Sequence, residues 1–134
     1  MHRILLIEDD QMLRRALRIA LVKSGYEVVE AGNGHEGLMA FKAKPVDLVV
    51  TDLIMPEMEG VETIQVLRKL SPYLPIIAIS GGGRGSPADY LHFAQKLGAA
   101  RAFAKPFEPG ELCAAVGSLL GENDRGANAP TAGG

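Results

Sequence analysis

The sequence predicts an α/β fold, a doubly wound and mainly parallel sheet in which five strands alternate with five helices. Two observations predict it. Short strand-like stretches recur five times along the chain, and three of them, at residues 4–7, 48–50 and 76–79, are continuous apolar runs typical of strands buried on both faces. Between and after them lie segments whose apolar residues recur every three or four positions, as they do on one face of a helix. Such segments are long enough to cross over between parallel strands.

The first strand is predicted at residues 4–7, an apolar run that stops abruptly at three acids, residues 8–10. Helical spacing of apolar side chains then extends over residues 11–24, and Gly25 is typical of a helix end. Asp10 stands immediately before this helix and is a good N-cap residue. The first unit is therefore a strand, an acidic loop and an amphipathic helix.

The second unit begins with a predicted strand at residues 26–31. The glycine-rich residues 32–34 predict a turn, and residues 36–44 a helix with Leu38 and Phe41 facing inward. This unit carries no unusual cluster of polar residues.

The third strand lies within residues 46–56, VDLVVTDLIMP, and ends at Asp52. A charged side chain cannot continue into a core buried on both faces, so this acid should stand at the carboxyl end of the strand. Pro56 disfavours a helix in the loop that follows. A third helix is predicted from Val61 to about Leu70.

Residues 75–80, PIIAIS, predict a fourth buried strand that ends in the hydroxyl of Ser80 and runs into a glycine-rich loop. Helical spacing returns at residues 88–97. A weaker fifth strand at 100–104 leads into Lys105-Pro106, and a last helix begins near Pro109 and ends before Gly121.

The length of 134 residues favours one domain, which we place at residues 1–121. Residues 122–134 are polar, rich in Gly, Ala and Asn, and without periodicity, and they predict a disordered tail or linker stub. A net charge of −2 gives no general attraction to nucleic acid, so no direct nucleic-acid partner is expected. No apolar stretch approaches the ~18 residues of a membrane span. The single cysteine and the lack of a visible signal peptide favour a cytoplasmic protein.

Polar side chains gather where four of the predicted strands end. Because the carboxyl ends of parallel strands meet at one edge of the sheet, these side chains should lie together, and open α/β sheets bind their ligands at this edge. The residues are Glu8, Asp9, Asp52, Ser80 and Lys105.

Three carboxylates at one edge repel each other unless a cation lies among them or protons are taken up. Oxygen ligands without a nearby His or Cys indicate Mg²⁺ as the cofactor. With Asp52 as nucleophile, Lys105 and Ser80 would contact the oxygens of an incoming phosphoryl group. The predicted product is an aspartyl phosphate.

These residues resemble the response-regulator receiver domains of two-component signalling, and the resemblance covers roughly residues 3–121. The motifs that carry it are Glu8-Asp9 after the first strand, Asp52 in DLIMP, Ser80, and the dipeptide Lys105-Pro106. The resemblance implies a flavodoxin-like, CheY-like (βα)5 fold with strand order 2-1-3-4-5. It also implies that Asp52 accepts the phosphoryl group and that Mg²⁺ is bound directly by Asp9 and Asp52, through water by Glu8, and by the backbone carbonyl of Ile54.

The resemblance further implies a sensor histidine kinase or a histidine phosphotransfer protein as the phosphoryl donor. Such a domain catalyses only its own phosphorylation and slow dephosphorylation. The output is a shift of conformation that changes the binding of a downstream protein at the face of the fourth helix, fifth strand and fifth helix. A homodimer that forms on phosphorylation is a further expectation.

The switch residues of this family are only partly matched. In the family, the Ser80 position moves toward the phosphoryl group together with an aromatic residue three positions before the lysine. That position holds Ala102 here, and Phe103 lies one step along the strand, on the opposite face. An aromatic switch is therefore not predicted. Gly81, beside Ser80, leaves room for a donor or a phosphatase side chain, and the loop that it begins is predicted to become ordered on phosphorylation.

Three hypotheses remain open from the sequence. The chain is a stand-alone receiver, or a receiver fragment of a longer DNA-binding regulator or hybrid kinase. The third hypothesis is a Mg²⁺-dependent phosphohydrolase with an aspartyl nucleophile. Enzymes of the haloacid-dehalogenase type carry a second Asp two residues after the nucleophile, where this chain has Ile54.

Overall fold

The five predicted strands form one parallel sheet. The computed structural model describes residues 1–53, 60–80 and 87–121, and of residues 87–91 only the backbone. Within these ranges the strands lie side by side in the order β2-β1-β3-β4-β5, which confirms the predicted architecture. Their bounds are β1 Arg3–Ile7, β2 Glu27–Ala31, β3 Leu48–Asp52, β4 Ile76–Ser80 and β5 Arg101–Ala104.

A helix follows each strand, as the apolar spacing predicts. The bounds are α1 Gln11–Lys23, α2 Gly34–Ala43, α3 Gly60–Leu70, α4 Pro87–Lys96 and α5 Pro109–Leu119. No helix among the described residues is long and apolar enough to cross a membrane. The predicted tail, residues 122–134, lies outside the described residues.

The start of α2 corrects one prediction. The glycine-rich residues 32–34 were expected to form a turn before a helix at residue 36, yet α2 begins at Gly34. Asn33 takes an extended backbone and its side chain accepts a hydrogen bond of 2.8 Å from the amide of Glu36. This is an N-cap, so the polar residue marks the start of the helix rather than a separate turn.

Helices cover both faces of the sheet because successive strand residues point to opposite sides. In β1, Leu5 and Ile7 belong to one buried cluster, which also contains Leu38, Ile64 and Ala94 of α2, α3 and α4. Ile4 and Leu6 belong to the other, which packs against α1 and α5. β3 and β4 are buried along their whole length. Since both faces are covered, polar groups are accommodated at the ends of the strands.

Candidate functional site

The structure brings the predicted site residues to one edge of the sheet. Glu8 and Asp9 directly follow β1, Asp52 and Ser80 are the last residues of β3 and β4, and Lys105 directly follows β5. The sheet register places the ends of β3 and β4 side by side, since Asp52 pairs with Ile79. Four neighbouring strands thus deliver these five side chains to one region.

The ammonium group of Lys105 lies between two carboxylates. Its Nζ is 2.7 Å from Oδ2 of Asp52 and 3.2 Å from Oε1 of Glu8. The backbone supports this position, because the amide of Lys105 donates a hydrogen bond of 2.7 Å to the carbonyl of Ser80. Burial lowers the pKa of Lys105, but the hydrogen bond to Asp52 and the charges of both carboxylates outweigh it and raise that pKa. Lys105 is therefore a fixed cation within the site.

Three carboxylates form the other half of the site. One oxygen from each of Glu8, Asp9 and Asp52 lies within 4.8 Å of the others. Glu8 and Asp52 are buried, whereas Asp9 is exposed. Burial, and then the charge of Asp52, raise the pKa of Glu8 from 4.5 to about 7, and the amide of Asp10 and the charge of Lys105 offset only part of this rise. One ammonium group does not neutralise the cluster.

Two buried polar atoms at this edge have no hydrogen-bond partner among the described residues. They are the hydroxyl oxygen of Ser80 and Oε1 of Glu8, although the latter lies near the ammonium group of Lys105. A buried polar atom without a partner costs about 1–3 kcal/mol, so such atoms often mark a place that a ligand completes. The oxygen-only donor set and the hydroxyl of Ser80 without a partner fit a hard cation together with the oxygens of an anion.

The loop that carries the acidic pair is held by one contact that the sequence predicts, the cap at Asp10, and by two that it does not. The amide of Asp10 donates to Oε2 of Glu8 at 3.1 Å, while the Asp10 side chain caps α1 by accepting from the amides of Met12 and Leu13. The N-cap prediction is therefore confirmed. Arg14 donates from Nη1 to the carbonyl oxygen of Glu8 at 2.8 Å. In sequence, Arg14 was visible only as one of several arginines on a helix.

Gly60 is a second residue that the sequence analysis missed. A Cβ atom placed on it would lie 1.7 Å from the carbonyl oxygen of Asp52 and 2.6 Å from Cα of Leu53. The amide of Gly60 donates to the carbonyl of Leu53 at 3.1 Å. The start of α3 thus packs directly on the backbone of Asp52, and any side chain at this position would displace it.

The predicted switch residues divide between the two faces of β5. Ala102 packs against the cluster of α2, α3 and α4, whereas Phe103 packs against the cluster of α1 and α5. Phe103 also contacts Phe107, with ring centroids 5.6 Å apart, and the Arg101 guanidinium lies over its ring. The prediction that these two residues point to opposite faces is confirmed. The predictions for Ile54 and Gly81 fall outside the described residues.

Comparison with known proteins gives one consistent family. The family model described as response regulator receiver domain matches residues 4–117. The chemotaxis protein CheY of Thermotoga maritima is 34% identical over 118 residues, which are 87% of this chain and 96% of that protein. The probable transcriptional regulator ycf27 of Pyropia yezoensis is 37% identical over 124 residues, 92% of this chain but 49% of that protein. The chain spans about half the length of the ycf27 regulators that it matches.

Solved structures agree with this result. A response regulator receiver domain protein from Clostridium thermocellum superimposes with a TM-score of 0.83 at 27% identity, covering 93% of this chain and 98% of that one. A CheY-like receiver domain protein from Methanospirillum hungatei gives a TM-score of 0.82 at 29% identity, with coverage of 93% and 98%. The likeness therefore extends over nearly the whole of each structure.

Proposed function

The chain belongs to the response regulator receiver domain family of two-component signalling, and we propose that it accepts a phosphoryl group on Asp52 and thereby changes its binding to a partner protein. The contact between Asp52 and Lys105, at 2.7 Å, is the observation that carries this proposal. It places a fixed cation beside a buried carboxylate at the ligand-binding edge of the sheet.

The phosphoryl donor in this proposal is a phosphohistidine on a sensor kinase or a phosphotransfer protein. A carboxylate oxygen of Asp52 forms the new bond to phosphorus as the bond from phosphorus to the imidazole nitrogen breaks, and the imidazole retains that electron pair and takes a proton. Lys105 stays protonated and pairs with a phosphoryl oxygen as the charge of Asp52 is consumed. The hydroxyl of Ser80 donates a hydrogen bond to another oxygen and so gains a partner.

We propose Mg²⁺ as the cofactor. Asp9 and Asp52 would hold it directly and Glu8 through water, and the carbonyl of Ile54 stays a predicted ligand outside the described residues. When bound, the ion neutralises charge on the carboxylates and on the transferring phosphoryl group. The closeness of the three carboxylates supports this assignment. The raised pKa of Glu8 agrees with it, because burial and then the charge of Asp52 disfavour a second negative charge that has no cation beside it.

The output face in this proposal comprises α4, β5 and α5. β5 lies at the edge of the sheet, and Phe93 of α4 exposes 44% of its surface. An exposed aromatic side chain is a common anchor for a protein partner. Binding of a downstream protein or of a second copy of the chain at this face, and a cytoplasmic location, stay predictions.

The relatives support two settings for the domain. The chain covers 96% and 98% of the CheY proteins but only about half of the ycf27 transcriptional regulators. A stand-alone receiver and a receiver within a longer DNA-binding regulator or hybrid kinase therefore both stay proposals. The mass of the native gene product separates these two possibilities. In either setting we expect self-phosphorylation and slow dephosphorylation, without turnover of small phosphoesters.

The proposal is tested by phosphorylation with a phosphoramidate donor in Mg²⁺. The wild type should incorporate acid-stable, hydroxylamine-labile phosphate, and Asp52→Asn should incorporate none while it retains cooperative unfolding. Asp10→Asn is a matched control, because it also removes one charge near the site while asparagine still caps a helix. Labelling of Asp52→Asn at the wild-type stoichiometry would show that the nucleophile is a different residue.

A further inference from the structure

Arg14 of α1 joins two loops at the acidic edge of the sheet. Its Nη1 donates to the Glu8 carbonyl at 2.8 Å, and its Nε lies 3.3 Å from Oε1 of Glu30 at the end of β2. The guanidinium also packs beside Gly32, where an added Cβ would lie 3.3 Å from Nη1. The side chain of Arg14 is 18% exposed. One planar cation therefore ties the loop after β1 to the end of β2.

The hydrogen bond from Arg14 to the Glu8 carbonyl also constrains the backbone of Asp9. That carbonyl and the amide of Asp9 belong to a single planar peptide unit, so an anchor on its oxygen also sets the direction in which the backbone enters Asp9. The other groups of Glu8 are held independently, its amide by the carbonyl of Ala31 at 3.0 Å and its carboxylate by Lys105 and the amide of Asp10. On the other side of Asp9, the side chain of Asp10 is engaged in the cap of α1.

Asp9 differs from its neighbours in one respect. It is exposed, whereas Glu8 and Asp52 are buried and contact Lys105. The packed core that fixes the other two carboxylates does not fix this one. The direction of the Asp9 side chain therefore depends more on its backbone than theirs does, and the Arg14 contact holds the peptide unit that precedes it.

We propose that Arg14 is a positioning residue for divalent-cation binding, which acts by fixing the peptide unit between Glu8 and Asp9 so that the Asp9 carboxylate faces Asp52. This inference rests on the proposed function, because it assigns Arg14 a role toward the same cation. Residues that orient metal ligands without touching the metal change metal affinity by about 10–100-fold when they are replaced.

Electrostatics alone predicts the opposite sign. Arg14 is a cation near an anionic cluster, so deletion of its charge should strengthen the binding of another cation. Positioning predicts that the binding becomes weaker. The direction of the change therefore distinguishes the two roles.

The test is a calorimetric titration of the full chain with MgCl₂ at pH 8, together with urea unfolding without metal. Arg14→Lys keeps the charge but lacks the planar group that contacts Glu8 and Glu30 together, so we expect it to raise the Mg²⁺ dissociation constant about tenfold. Arg14→Gln should also raise the dissociation constant, although less, since the repulsion between the arginine and Mg²⁺ is relieved.

The matched control is Arg18→Lys. Arg18 lies one turn further along α1 and pairs with the other oxygen of Glu30 at 3.2 Å. It should bind Mg²⁺ like the wild type.

Three outcomes would overturn the inference. An Arg14→Lys variant with lower stability but the wild-type dissociation constant would show a purely structural role. Tighter binding by Arg14→Gln would show that charge dominates. A wild type that binds no Mg²⁺ would overturn the proposed cofactor as well, which separates failure of the function from failure of this inference. If Arg14→Lys does not fold, Glu30→Asp keeps the charge but shortens the side chain that anchors the same guanidinium, and it should raise the dissociation constant in the same direction.

Discussion

Replacement of Glu8 by glutamine should stabilise the metal-free protein at pH 8 and have little effect at pH 4.5. Glu8 is fully buried, and its pKa is raised from 4.5 to about 7. The native state thus binds this proton more tightly than the unfolded chain does. The contribution of Glu8 to stability is fully present below pH 4.5 and is lost as the pH rises through 7.

The magnitude follows from the difference between the two pKa values. The rise of the pKa from 4.5 to about 7, at about 1.4 kcal/mol per pKa unit, corresponds to a loss of at most about 3–4 kcal/mol above pH 7. Between these pH values the free energy of unfolding of the wild type should fall by about 1.4 kcal/mol per pH unit relative to Glu8→Gln. Attraction to Lys105 is already contained in this pKa.

The assay is urea unfolding followed by circular dichroism in EDTA, at intervals from pH 4.5 to pH 8. The control is Glu62→Gln in α3, which also removes one negative charge, but from an exposed position. The stability of Glu8→Gln and the wild type should diverge with pH, whereas the control should follow the wild type. Parallel curves for Glu8→Gln and the wild type would refute the argument that burial, together with the charge of Asp52, raises the pKa of Glu8.

Two further predictions concern the ligands and the frame of the site. Asp9→Ala should weaken Mg²⁺ binding far more than Glu8→Gln in calorimetric titrations, because a direct ligand contributes more than one that acts through water; equal losses would contradict that assignment. Gly60→Ala should lower the free energy of unfolding by about 1–3 kcal/mol, since its Cβ would overlap the carbonyl of Asp52. The control is Gly110→Ala, which should not destabilise the protein because an added Cβ there meets nothing within 4 Å. A Gly60→Ala variant as stable as the wild type would contradict the overlap.

The succession of strands and helices along the chain could be predicted because a buried core restricts which residues a strand can contain. Strands buried on both faces must be continuously apolar, so β3 and β4 are recognised directly, and each can admit a polar side chain only where it ends. That rule places Asp52 and Ser80 at the edge of the sheet, and the structure confirms both positions. The cap at Asp10 was predictable for a similar reason, because the unpaired amides of a first helical turn require a nearby acceptor.

The contacts of Arg14 and Gly60 could not be predicted in this way. Each joins a residue of one segment to the backbone carbonyl of another, Arg14 to Glu8 and Gly60 to Asp52. Backbone carbonyls are the same at every residue, so such a contact leaves no pattern of residue types in the sequence. The early start of α2 was missed because a glycine-rich segment with a polar residue is compatible both with a turn and with a capped helix start.

The charges of the site explain why its stability and its ligands should be coupled. Three carboxylates and one ammonium group leave two negative charges uncompensated when all are ionised. Burial first, and then the charge of Asp52, raise the pKa of Glu8 by more than Lys105 and the amide of Asp10 lower it. Glu8 and Asp52 are buried where β1 and β3 end, so these two acids are held close together. A divalent cation would supply the missing two positive charges. A proton on Glu8 and the proposed Mg²⁺ would each relieve the repulsion among the carboxylates, so the binding of one should weaken the binding of the other. Unfolding of Glu8→Gln measures what the buried charge of Glu8 costs without a ligand, and the titrations of the Asp9 and Arg14 variants measure how these residues contribute to binding of a cation at the same place.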